Sequence, residues 1–205
     1  MADQFTDLFS APLTFNWTLS YRCNFSCSHC YSRDEKVAEL PTADILRIVD
    51  ILADKQVPFI NFGGGEPLIR DDLYQIAAYA CGRGLNVSMN SNGWLLDHEA
   101  AVRLKQAGFK SVGISIDSAN GASHDDFRNM PGAFERGIQA LDALRSVGLK
   151  STMSSVISRI NFRQFREVRP QIAAGSILIS RQLLIRFRRA NSLRRRHRLR
   201  RQADD

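Results

Sequence analysis

Cysteine is scarce in this 205-residue chain: there are four, and none follows Cys81. Three of the four lie within the eight residues from Cys23 to Cys30, so they are not the dispersed, even set of a disulfide framework. A clustered trio of that kind belongs to metal chemistry in a reducing compartment. Also missing is any run of about eighteen apolar residues, which excludes a helical membrane span. Met1 to Asp7 have neither the basic nor the apolar stretch of a secretory leader, so a cytoplasmic location is expected.

Lysine is missing as well, but only from one part of the chain. Residues 159–205 hold 14 arginines, no lysine, and three acidic residues, Glu167, Asp204 and Asp205. The net charge of +7 is therefore an average over a mildly acidic body and a strongly basic tail.

What is present in the body is alternation. Leu13, Phe15, Trp17 and Leu19 interleave with Thr14, Asn16, Thr18 and Ser20, a period of two that predicts a strand. After the cysteines, Pro41-Thr42 opens a helix with Thr42 as N-cap, Asp44 in its first turn, and Ile45, Ile48, Val49 and Leu52 as its stripe. Val57 to Phe62 predicts a second strand. Asp71 is expected to cap the next helix, whose stripe is Leu73, Ile76, Ala77 and Ala80, with Gly82 and Gly84 ending it. A third strand follows from Leu85 to Met89. Asp97 caps a helix ending at Gly108. Val112, Ile114 and Ile116 mark a fourth strand, followed by a polar loop. Phe134, Ile138 and Leu141 mark a helix ending at Gly148. Residues 149–157 form a fifth strand, and Asn161 starts a further helix.

Strands alternating with helices imply parallel pairing with right-handed crossovers. The first, third and fourth strands each have one apolar and one polar face. Strands of an open doubly wound sheet are covered on both faces. A closed eight-stranded barrel fills its interior with branched apolar side chains. The expected fold is therefore α/β, an incomplete (β/α) barrel of about five parallel strands, with helices outside and Thr14, Asn16, Thr18, Ser88, Asn90, Ser115 and Asp117 facing a wet interior. The expected division is a lead-in at 1–12, a core at 13–168 and an irregular Arg-rich tail at 169–205.

Two motifs carry chemistry. Cys23, Cys27 and Cys30 are spaced C-x3-C-x2-C directly after the first strand. Three thiolates can hold three irons of a [4Fe–4S] cube and leave the fourth open to a substrate or cofactor. Three other readings stay open on spacing alone. One is a zinc site with His29 as a cramped fourth ligand. Another is a thioredoxin-like pair, Cys27 and Cys30, which leaves Cys23 unexplained. The third is three unrelated buried cysteines. The second motif, Gly63-Gly64-Gly65-Glu66-Pro67, ends the second strand. Its glycines admit a ligand close to the backbone, and Glu66 adds an acceptor for a cation; a plain glycine turn is the alternative. A dinucleotide fingerprint does not fit, because Leu68 stands where a glycine is needed and Pro67 interrupts the loop.

Taken together, these motifs resemble the radical S-adenosylmethionine (radical SAM) superfamily over about residues 10–167. The resemblance implies a [4Fe–4S] cluster on Cys23, Cys27 and Cys30. It implies SAM held by Gly64, Gly65, Glu66 and Pro67 at its methionine amino group, with His29 against adenine. Asn90-Ser91-Asn92-Gly93 looks like the family's Thr-Asn-Gly-type segment, and Ser115, Asp117 and Arg128 look like its contacts to SAM ribose and carboxylate. The implied activity is reductive cleavage of SAM to a 5′-deoxyadenosyl radical that abstracts a hydrogen atom, with no protein acid–base pair required. Ser123-His124-Asp125-Asp126-Phe127-Arg128 through Phe134 is similar to the peptide and cofactor maturase group of SPASM and twitch relatives. Partners implied are a reductant such as ferredoxin or flavodoxin and a peptide or small-molecule substrate. With no cysteine after Cys81, the auxiliary-cluster extension of those relatives is expected to be missing.

The tail calls for a separate account. Its gain of arginine with complete loss of lysine is the mark expected of translation out of frame from near residue 168, which would leave the barrel incomplete and the fragment inactive. Clustered arginine also suits nucleic-acid phosphates, and its interleaved Leu and Ile suit an anionic membrane surface. A non-catalytic iron–sulfur or zinc protein docking on nucleic acid through this tail is the competing function from another class.

Overall fold

The computed structural model describes residues 11–34, 36–158 and 161, together with the backbone of a strand at 178–183. Six strands form one sheet: β1 (Thr14–Ser20), β2 (Phe59–Gly64), β3 (Asn86–Ser91), β4 (Ser111–Ser115), β5 (Lys150–Ile157) and β6 (Leu178–Leu183). They lie side by side in chain order, each parallel to the next. Helices α1 (Thr42–Asp54), α2 (Leu73–Gly82), α3 (His98–Gln106), α4 (Gly121–Arg128) and α5 (Ala133–Ser146) fill the connections. This is the expected α/β arrangement. The sixth strand lies inside the stretch expected to be an irregular tail. The lead-in up to residue 10, the helix expected from Asn161 and the rest of the tail lie outside the described residues.

The period-two alternation decides which face is dry. Ile60 and Phe62 of β2, Val87 and Met89 of β3, and Val112 and Ile114 of β4 are all buried on one side. They pack against Ile45 and Val49 of α1, Leu73 and Ile76 of α2, Leu104 of α3 and Leu144 of α5 in one continuous core. Burying a side chain the size of Phe62 contributes about 2–3 kcal/mol, so this face supplies most of the stabilisation.

The other face is polar and organised across strands. Asn16, Asn61, Ser88 and Ser111 share one register row. Asn61 Nδ2 donates to Asn16 Oδ1 at 3.2 Å, and Ser88 Oγ donates to Asn61 Oδ1 at 3.1 Å. The next row places Asn90 beside Gly113 and Thr152. A Cβ on Gly113 would overlap Asn90 Oδ1, so the absent side chain leaves the Asn90 amide room to lie across β4.

Helix ends correct three expectations. Pro41, not Thr42, is the N-cap of α1, and the Thr42 hydroxyl instead donates to Asp72 Oδ2 at 2.6 Å. Asp72, not Asp71, precedes α2, and its carboxylate is taken by Arg70 rather than by the helix. The polar loop after the fourth strand contains α4, capped by Asn120 Oδ1 accepting from the Ser123 N–H at 2.9 Å. Of α4 only His124, Phe127 and Arg128 are buried, so its sequence carries too little apolar periodicity to announce a helix. Asp97 caps α3 as expected, accepting from the Ala100 N–H at 2.8 Å.

Candidate functional site

The cysteine loop and the glycine loop leave neighbouring strands, β1 and β2, at the same sheet end and are joined backbone to backbone. The Gly65 N–H donates to the Ser20 carbonyl at 2.7 Å, and the Glu66 N–H to the Arg22 carbonyl at 2.9 Å. That approach requires glycine. A Cβ on Gly65 would overlap the Arg22 carbonyl, and Gly64 has φ +104°, a left-handed conformation that side chains disfavour. Behind this seam, buried Arg70 makes two short bonds to Asp72, at 2.8 and 2.7 Å, and reaches the Leu19 and Leu40 carbonyls. Glu39 ties the same arginine to Arg22. Ser32 Oγ closes the far side of the cysteine loop on the Gly64 carbonyl at 2.6 Å.

These loops form one wall of an open cleft of about 200 Å³, floored by the polar face of the sheet. Cys23, Cys27 and Cys30 line it as free thiols. The loop is a tight turn, with the Cys30 N–H on the Cys27 carbonyl at 3.1 Å. Backbone N–H groups also point at sulfur: Phe25 to Cys23 at 3.4 Å and Arg33 to Cys30 at 3.3 Å. Burial pushes the Cys23 and Cys27 thiols up, and for Cys27 the Arg128 guanidinium opposes that. Among the described residues no three His, Cys, Asp or Glu side chains close on one metal-ion position, as a zinc site requires. A cube needs no such convergence, because each thiolate takes a different iron.

His29, Gly64, Gly65, Asn90, Ser115 and Arg128 line the same cleft, so most of the residues singled out from sequence are brought together. The His29 ring stacks on Phe127, with centroids 4.1 Å apart and planes 13° from parallel. Its Nδ1 is buried with no partner among the described residues, and burial pushes its pKa down.

Three of the expected contacts do not face the cleft. Asp117 is fully buried. Its carboxylate accepts from Arg128 Nε at 2.6 Å and from the Val156 N–H at 2.8 Å, so it holds Arg128 in the wall and does not itself line the cleft. His124 supports the same corner, its Nδ1 accepting from the Asp117 N–H at 3.1 Å. Burial pushes His124 down to about 4. Glu66 is 1% exposed and turns inwards. It accepts from the Asn92 N–H at 2.8 Å, Ser91 Oγ at 3.0 Å and the Leu68 N–H at 3.2 Å. Burial still pushes its carboxyl up to about 7. Pro67 is buried as the first residue of a 3-10 turn (Pro67–Ile69).

Further wall residues lie outside the cysteine and glycine loops. Asn16, Asn61 and Ser154 reach the cleft from the polar face; of these only Asn16 lies on a strand whose alternation was read from the sequence. Asn92 reaches it from the end of β3 and donates from Nδ2 to Asn24 Oδ1 at 2.8 Å. Among the described residues no helix is long and apolar enough to cross a membrane.

Comparison with known proteins agrees with this architecture. The Radical SAM superfamily profile matches residues 17–169. An AdoMet-dependent heme synthase of Nitratidesulfovibrio vulgaris is 35% identical over 155 residues, 74% of this chain and 42% of the relative. Mycofactocin maturase MftC of Mycolicibacterium smegmatis is 34% identical over 170 residues, 82% of this chain and 43% of the relative. The chain thus spans less than half the length of these curated relatives. The crystal structure of Streptococcus suis SuiB bound to S-adenosylmethionine superposes with a TM-score of 0.77 at 18% identity, covering 93% of this chain and 47% of that one. At that identity the likeness speaks for the fold. The profile match takes in both the cysteine loop and the glycine loop and runs through β5, and on that ground the chain belongs to the radical SAM superfamily.

Proposed function

We propose that this protein is a radical SAM enzyme of the maturase kind. In this reading it holds a [4Fe–4S] cluster on Cys23, Cys27 and Cys30, and SAM beside it. The observation that carries the reading is the backbone seam between the cysteine loop and the glycine loop, which puts three free thiols and a bare backbone edge on one cleft wall. The residues present fit the cofactors. Soft thiolates suit iron, the Arg128 cation suits a carboxylate, and the unpartnered His29 Nδ1 belongs to a side chain that lines the cleft. When bound, the cluster would supply the electron that cleaves SAM to methionine and a 5′-deoxyadenosyl radical for hydrogen abstraction.

The chain's own residues bind and orient. Gly64 and Gly65 offer backbone to the methionine moiety. Glu66, turned away from the cleft, acts by holding that loop against Ser91 and Asn92. Asn90 and Ser115 offer an amide and a hydroxyl to the ribose. Asp117 keeps Arg128 aimed at the carboxylate, and His29, backed by Phe127, offers a flat face to adenine. Cys30 is exposed and Tyr31 is 79% exposed, which leaves this wall open to a reductant such as ferredoxin or flavodoxin.

The amide- and hydroxyl-rich floor suits an uncharged, hydrogen-bonding part of a substrate, as in a peptide, better than a polycarboxylate. Relatives support both maturation classes: heme synthases and mycofactocin maturases by name, and SuiB by its crystal structure bound to the precursor peptide SuiA.

Anaerobic reconstitution with iron and sulfide, then SAM and a strong reductant, tests the proposal. 5′-Deoxyadenosine is expected, and Cys27→Ala abolishes cluster and product together. One zinc per chain would overturn the cluster assignment, and a cluster without SAM cleavage would overturn the enzymatic one.

A further inference from the structure

We propose that the side-chain amide of Asn92, held in place by Asn24, hydrogen-bonds the Cys23 sulfur of the bound cluster and raises its reduction potential. This rests on the cluster reading above and goes beyond it, because neither residue is a ligand.

The orientation of both amides is set by their partners. Asn92 Oδ1 accepts from the Trp94 N–H at 2.9 Å. Its backbone N–H goes to buried Glu66 at 2.8 Å. The Asn92 NH2 group is thereby turned towards the cysteine loop, where it donates to Asn24 Oδ1 at 2.8 Å and stands 3.9 Å from Cys23 Sγ. Asn24 Oδ1 accepts that bond and itself lies 3.9 Å from Cys23 Sγ, so Asn24 turns its oxygen, and Asn92 its NH2 group, towards the sulfur.

The acceptors that a cluster brings are anionic sulfides and thiolates. Hydrogen bonds to those sulfurs stabilise the more negative, reduced state, so they raise the potential. The same chain of bonds runs from Cys23 through Asn92 to Glu66, so the ends of β1, β2 and β3 meet at one amide.

The test uses the full chain reconstituted anaerobically without SAM. Midpoint potentials are read from EPR-monitored redox titrations of wild type, Asn24→Leu and Asn92→Ala, with iron, sulfide and far-UV circular dichroism measured alongside. Both variants are neutral, so no new charge intrudes. The expected result is an unchanged iron and sulfide content with a potential lowered by about 59 mV or more, a tenfold fall in the one-electron reduction constant. An unchanged potential with an intact cluster overturns the proposal. Should either variant lose its cluster or its fold, wild-type protein labelled with 15N-asparagine decides. Hyperfine coupling of the reduced cluster to side-chain 15N is expected, and its absence overturns the proposal. Failure of wild type to take up any cluster is a separate result that overturns the reading beneath it as well.

Discussion

Replacing Asp117 by alanine should cost this domain a large share of its stability, although Asp117 itself does not line the cleft. Asp117 is fully buried, and Arg128, 9% exposed, is held by it through a 2.6 Å bond. Removing one partner of a buried pair leaves an uncompensated charge, worth about 3–5 kcal/mol. The Val156 N–H also loses its acceptor, a further penalty of about 1–3 kcal/mol. The two losses share one relaxing corner and are not additive, so a total of about 4 kcal/mol is expected. Against a domain stability of about 5–15 kcal/mol that is decisive. Urea unfolding of the cofactor-free protein at constant m-value measures it. Asp117→Asn keeps an acceptor for Val156 and should lose about half as much. The double variant Asp117→Ala with Arg128→Met should be more stable than Asp117→Ala alone, because the orphaned cation is gone. A loss below about 1 kcal/mol for Asp117→Ala, or a double variant as poor as the sum of its singles, would show that Arg128 does not depend on this carboxylate.

Other expectations follow from single residues. Gly65→Ala should cost about 3 kcal/mol in thermal or urea unfolding, because its Cβ meets the Arg22 backbone carbonyl, whereas Gly63→Ala, with open space around it, should stay within about 0.5 kcal/mol of wild type. His124 sits beside Asp117, Arg128, Asp125 and His29, with its pKa lowered to about 4 from 6.5. Its Nδ1 accepts a backbone N–H and so stays unprotonated. The unfolded chain therefore takes up a proton before the folded one, and stability should be unaffected above about pH 6.5 and fall between there and about pH 4, by up to about 3 kcal/mol. His124→Gln should flatten that slope in pH-dependent urea titrations; an unchanged slope would assign the acid sensitivity to other groups.

The strands and their polar inner face were legible because a one-sided strand writes its burial into every second residue. Asp97 was legible as a cap for a similar local reason: its partner lies three residues away. Thr42 does not cap, because its hydroxyl finds Asp72, 30 residues distant, and Asp72 gives its carboxylate to Arg70 two residues back rather than to its own helix. Helix α4 was hidden by its composition, with a buried face made of a histidine, a phenylalanine and an arginine.

The cluster motif, the glycine loop and the family resemblance stand in the amino-acid order alone, because thiolate spacing and glycine freedom are properties of a few consecutive residues. The direction of each polar side chain does not. Ser115 and Asp117 are two residues apart at the end of one strand, yet Ser115 lines the cleft while Asp117 is buried under Arg128. Glu66 follows two cleft-lining glycines and still turns inwards to Ser91 and Asn92. Asn24 and Asn92, 68 residues apart, meet through a single amide hydrogen bond. These choices rest on which buried hydrogen bonds are available, and only the assembled strands bring the partners into range.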